Sequence, residues 1–191
     1  MMVALNEATY LVKERFMRSR KAIFTLVKAI VPTLVLTLVF TGCADTDSSR
    51  PAGEVLVDEL GVAIEGFDTV AYHLADTAVQ GQSDYATQWN GATWWFSSQT
   101  NRQLFIAEPE KYAPAYGGWC AYGVAEGYAA ETDPVNGWTI HEGRLYLNWD
   151  AEVSADWRTD KAGYLKKSEP NWSTVQTQLQ EGGATVYWHE E

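Results

Sequence analysis

The chain has 191 residues, 25 of them acidic and 14 basic, for a formal net charge of −11. That length supports one domain with a core of its own and gives no reason for two. The acidity weighs against nucleic acid as a partner, because gripping phosphates needs a basic patch that releases counterions.

Residues 18–42 read as a secretory signal. Arg18, Arg20 and Lys21 form a basic start, and Ala29 to Phe40 form a short apolar run that ends at Thr41-Gly42-Cys43. The run falls short of the roughly 20 apolar residues that a membrane-spanning helix needs. Phe40-Thr41-Gly42-Cys43 resembles a bacterial lipobox, with Phe40 where a smaller aliphatic residue is usual, and the resemblance implies lipidation of Cys43. Met17 opens a well-proportioned signal by itself, so residues 1–16 are expected to precede the true start. The implied location is the bacterial cell envelope, with the domain tethered to a membrane and facing the periplasm or exterior. With residues 1–42 removed, 23 acidic residues face eight basic ones, a balance of −15. Such a surface keeps a secreted domain soluble and attracts cations.

Cys43 and a flexible tether occupy 43–56, small and polar and broken by Pro51 and Gly53. The domain is expected over 57–180 and a tail over 181–191, in which Val186, Tyr187 and Trp188 have the pattern of an edge strand. Val62 and Ile64 alternate with other residues as in a short strand, and Asp68 is placed to cap a helical turn holding Val70, Ala71, Tyr72 and Leu74.

A first β-hairpin is predicted from Tyr85 to Ser97. Asn90-Gly91 readily adopts the positive φ values of a type I′ turn, and apolar or aromatic residues flank it on both sides. After Phe96 the period changes from two to about 3.6, with Leu104, Phe105 and Ala107 on one side and Ser97 or Ser98 placed to cap. Pro109 should end or kink this helix. Gly117-Gly118 then lets the chain turn sharply before Trp119, Cys120 and Tyr122.

A second hairpin is predicted from Gly137 to Trp149, turning at Glu142-Gly143. Asp150 caps a helix through Val153 and Trp157, and a further helical stretch runs from Lys161 to Leu179, interrupted by Pro170. All nine tryptophans fall between Trp89 and Trp188, enough to fill a core or to line a pocket. The fold class is α+β, a small single domain of two β-hairpins packed with short helices.

These residues carry a family resemblance. Trp94-Trp95-Phe96-Ser97-Ser98, Asn101, Phe105, Pro109 and Lys111-Tyr112 resemble the core of the YHS domain. Tyr116-Gly117-Gly118-Trp119-Cys120-Ala121 is similar to the longer, secreted branch of that family. So is Gly66-Phe67-Asp68-Thr69-Val70-Ala71-Tyr72, with Thr69 in place of proline. Trp138, Leu145 to Asn148 and Asn171-Trp172 continue the likeness, which spans about residues 60 to 173.

The short, cysteine-bearing YHS modules resemble metal-binding treble-clef pieces, and by that resemblance their ligand positions fall on Ala71, Ser97 and Asn101. None of these is a good soft-metal ligand, so the family-type metal site is not expected intact. A bound metal would have to use Cys120 with His73, or carboxylates such as Asp68; His141 and His189 read as solvated or packed histidines. Cys43 and Cys120 alone cannot build a four-thiolate zinc site, and the three methionines, all at or before Met17, cannot build a thioether site for Cu(I).

Cys120 has two readings. If a helix begins near it, its sulfur lies by exposed N–H groups that stabilise a thiolate, with Trp119, Tyr122 and Tyr72 as walls. Otherwise it is a small buried hydrophobe among aromatics. No nucleophile elbow, phosphate-binding glycine loop, HExxH or CxxC motif is present, so spacing supports no enzyme class. Three functions stay open: a lipid-anchored YHS-type binding module for a metal ion or small ligand, a thiol redox protein using Cys120, and a structural envelope protein.

Overall fold

A computed structural model describes residues 53–189. The signal, Cys43 and most of the tether lie outside the described residues. Among the described helices none is long and apolar enough to cross a membrane.

The first half builds a hairpin and the helices that cover it. Helix α1 (Thr69–Leu74) is capped by the Asp68 carboxylate, as its position predicts. Strands β1 (Gln82–Trp89) and β2 (Ala92–Phe96) pair antiparallel around Asn90 (φ 48°) and Gly91 (φ 78°), both in the left-handed region that a type I′ turn demands. Along β2 the side chains alternate, so Ala92, Trp94 and Phe96 enter the core while Thr93 and Trp95 stay half-buried. Ser98 caps α2 (Gln99–Ala107), and Pro109 opens a separate turn of helix, α3 (Pro109–Tyr112), where its missing N–H costs nothing.

The expected strand around Val62 and Ile64 forms only in part. Val62 makes a single bridge to Thr93, and Ile64–Gly66 turns as a 3₁₀ segment with Ile64 and Glu65 at positive φ. Gly66 and its neighbours must bend there to deliver Asp68 to the head of α1, and that bend overrides the alternating pattern.

After a tight turn at Ala115–Gly118 come α4 (Ala121–Ala125) and the two-residue strand β3 (Ala129–Ala130). The second hairpin joins β4 (Trp138–His141) to β5 (Arg144–Leu147) through Glu142 (φ 49°) and Gly143 (φ 74°), again type I′. Asp150 caps α5 (Ala151–Thr159), and Asp160 caps α6 (Lys161–Glu181). Strand β6 (Val186–Tyr187) returns the tail to pair parallel with β3.

Helix α6 departs from expectation, since it is 21 residues long and runs on through Pro170 without a break. Proline removes one helical hydrogen bond, but neighbouring contacts hold the segment. Asn171 donates its side-chain amide to the Ala125 carbonyl (2.9 Å), and Ser168, Val175 and Leu179 are buried on either side. Gly182, at φ 72°, then ends the helix.

Packing is aromatic throughout. Phe105 sits 5.2 Å from Trp94 and 5.0 Å from Phe96, ring centre to ring centre, within a cluster that includes Val70, Tyr72, Leu145 and Leu147. A second cluster centres on Trp157, 4.9 Å from Tyr146, beside Cys120 and Tyr122. A third gathers Leu56, Trp119, Val124, Val175 and Leu179 against Trp188. The α+β class therefore holds, with two hairpins and helices packed through three aromatic-rich clusters.

Candidate functional site

The residues singled out from sequence go to different places. Tyr72 belongs to the first cluster, Cys120 and Tyr122 to the second, and Trp119 to the third. Tyr72 donates its hydroxyl to the Pro134 carbonyl (2.6 Å), and burial raises its phenol far above the ordinary range. Trp119, fully buried, donates its indole N–H to the Gly53 carbonyl (3.0 Å).

Asp68 is completely buried and collects five donors. One carboxylate oxygen accepts the backbone N–H groups of Val70 (2.9 Å) and Ala71 (3.3 Å). The other accepts the Ser97 N–H (2.8 Å), the Ser97 hydroxyl (2.6 Å) and the Asn101 amide (2.7 Å). Charge-assisted hydrogen bonds of this kind are the strong ones, and they tie α1, the end of β2 and the start of α2 to one point. Ala71, Ser97 and Asn101, the positions on which the family resemblance puts metal ligands, all meet at this carboxylate. A metal does not fit the donor set: alanine offers no ligand, and the Ser97 hydroxyl and the Asn101 amide donate to the carboxylate.

Cys120 stands at the N-cap of α4, where its sulfur accepts the Gly123 N–H (3.4 Å) and lies 3.9 Å from the Asn148 side-chain oxygen. The helix-start geometry foreseen from sequence is thus present. The residue is only 2% exposed, however, and burial pushes its thiol up to about 11 against the stabilising N–H groups. At neutral pH the sulfur is a thiol.

His73 is half-buried on α1, packed edge-on to Tyr112 (5.4 Å), with its Nε2 buried and unpartnered among the described residues. Burial and the nearby Lys111 charge lower its pKa. His189 sits against Trp149, its Nδ1 3.3 Å from the buried Glu131 carboxylate and its Nε2 3.0 Å from the Trp149 carbonyl. The hydrogen bond to Glu131 raises its pKa. Among the described residues no group of three or more His, Cys, Asp or Glu side chains is placed to hold a metal ion.

A cleft of about 400 Å³ opens where five segments distant in sequence converge. Its aromatic lining comes from Trp89 and Trp94 on the first hairpin, Tyr116 in the turn before α4, and Trp172 on α6. Trp94 is buried and bonds its indole N–H to the Trp89 carbonyl (3.0 Å), fixing that side; Trp89, Tyr116 and Trp172 are half-buried. Tyr116 and Trp172 contact each other at 5.5 Å. Glu54, Asn90, Glu110 and Arg144 supply the polar lining. Burial raises the Tyr116 phenol, while a Ser168 hydrogen bond and the Arg144 charge lower it.

The floor of the cleft depends on Gly117. At φ 62° it lies in the left-handed region, and a Cβ there would run into the Glu54 carbonyl and the Val55 backbone. The entering chain is pinned to it by the Leu56 N–H donating to the Gly117 carbonyl (2.9 Å). The sequence reading named the glycine pair and the tryptophans, but not Arg144, Glu110 or Glu54 as a group. No spacing in the sequence groups these three charged residues.

Residues 70–116 match the family model described as the YHS domain, so the chain carries a YHS domain over the stretch from α1 to the turn before α4. No curated protein and no solved structure matches the chain. The match begins two residues after Asp68 and ends at Tyr116, so it includes Ser97 and Asn101 and one side of the cleft.

Proposed function

We propose that this chain is a membrane-tethered binding module of YHS type whose ligand is a small molecule held in the aromatic cleft. The observation that carries the reading is the cleft itself: a concave site with aromatic walls and a few charged groups. The closed Asp68 centre favours a small ligand over a metal ion. The thiol at Cys120, buried and hard to ionise, gives a redox role little support.

Ligand-observed screening against the full chain in detergent tests the site. Binders should shift the indole N–H signals of Trp89 and Trp172, and Trp172→Ala should weaken them; binders that leave both signals unmoved would refute the cleft as the site. Anchoring is tested separately. A Cys43→Ser chain should lose lipid labelling, and unchanged labelling would refute the anchor.

A further inference from the structure

The charges around the cleft narrow what it can hold. Two carboxylates, Glu54 and Glu110, line it against one guanidinium, Arg144, in a chain of net charge −11. The nearest additional cation in sequence, Lys111, is turned to Glu108 (3.0 Å) and to the Tyr112 ring. Glu54 accepts the Gln176 amide (2.6 Å), whereas Glu110 and Arg144 have no ion pair among the described residues. A plain anion entering here meets two like charges and a negative domain. A purely apolar ligand makes no use of Glu110 or Arg144.

An organic ammonium group suits the aromatic rings and the two glutamates of this lining. Its alkyl substituents pack on the rings of Trp89, Tyr116 and Trp172, whose π-faces attract positive charge, and the glutamates add to that attraction. The field of the acidic domain raises the local concentration of cations before contact. Arg144 is then the one group that calls for a negative charge on the same ligand. Resting on the reading of the cleft as the ligand site, we infer that it takes a compact zwitterion: an alkylated ammonium lodged among the aromatic rings and glutamates, with an acidic group directed to Arg144.

Four probes test this on the full chain in detergent, read by calorimetry and by the indole signals of Trp89 and Trp172: glycine betaine, choline, the uncharged choline isostere 3,3-dimethylbutanol, and the neutral disaccharide maltose. Choline should bind about fivefold or more tighter than dimethylbutanol, the margin expected of a cation over aromatic faces. Glycine betaine should bind tighter than choline, and Arg144→Ala should erase that second margin. Glu110→Gln, at an exposed position that does not threaten folding, should reduce the preference for choline over its isostere.

Equal binding of choline and dimethylbutanol would overturn the ammonium class. Binding of maltose alone, with the same indole shifts, would do so too while leaving the cleft as the ligand site. If none of the four probes moves the indole signals, the zwitterion inference fails. The broader reading fails only if screened binders of other classes leave those signals unmoved as well.

Discussion

The Asp68 centre and the aromatic cleft handle polar groups in opposite ways. Asp68 is fully buried and its two oxygens take five donors, so no capacity remains for anything from outside. In the cleft, Glu110 and Arg144 lie at the surface without an ion pair among the described residues, beside rings that are only half covered. A saturated buried group fixes a fold, whereas unsatisfied groups beside exposed rings are what a ligand can use. The difference separates what holds the domain together from what a ligand in the cleft would meet.

The largest effect should come from emptying the first region. Asp68→Ala takes the carboxylate away from five donors, three of them backbone N–H groups, and should cost about 3–5 kcal/mol of stability. Chemical denaturation measures it. Glu110→Gln in the cleft should stay within about 0.5 kcal/mol of the parent. Equal losses for the two variants would erase the distinction between the regions.

Next in size is Gly117→Ala. It places a Cβ against the Glu54 carbonyl in a left-handed conformation, and should cost roughly 2 kcal/mol or more. Because the clash pushes the entering chain off the cleft floor, ligand affinity should fall together with the denaturation midpoint. A stable variant with a weakened cleft would show that the floor moves independently of the core.

The smallest effect concerns two of the three histidines, His189 and His73, which repeat the contrast in protonation. His189 has a partner in Glu131, with Asp133 adding to the negative surroundings, and its pKa is raised above 6.5. Its contribution is complete below pH 6.5 and is lost as pH rises through the raised value. His73 has no partner for its buried Nε2 among the described residues, and burial together with the Lys111 charge lowers its pKa. The unfolded chain therefore takes up a proton there first, and stability declines as pH falls below 6.5. The two together predict a shallow stability maximum near pH 6.5. Ring-proton titrations by NMR should place His189 above that value and His73 below it; the reverse order would contradict both environments.

Much of the fold was legible because its signals are local. Asn90-Gly91 and Glu142-Gly143 set both turns through backbone preference alone, and Asp68, Ser98 and Asp150 cap helices because their side chains reach the next free N–H groups. The continuity of α6 was not legible, since what carries it past Pro170 is a contact to Ala125, 46 positions away in sequence. Nor was the bend at Ile64, where the need to deliver Asp68 to α1 outweighs an alternating pattern. The cleft was the least legible feature. Glu54, Trp89, Tyr116, Arg144 and Trp172 follow no common period, and only the folded chain brings them together.

The third cluster has a consequence for how the protein is made. Leu56, near one end of the described chain, and Trp188, near the other, both close on Trp119, whose ring lies 5.6 Å from that of Trp188. Contacts of such long sequence separation form late, because a large loop must close before any of them contributes. A folding chain can build the first hairpin early, but it cannot seal this cluster until the segment around Trp188 is in place. Trp188 therefore acts as a late clasp on the third cluster, and its removal would uncover one side of the Trp119 ring.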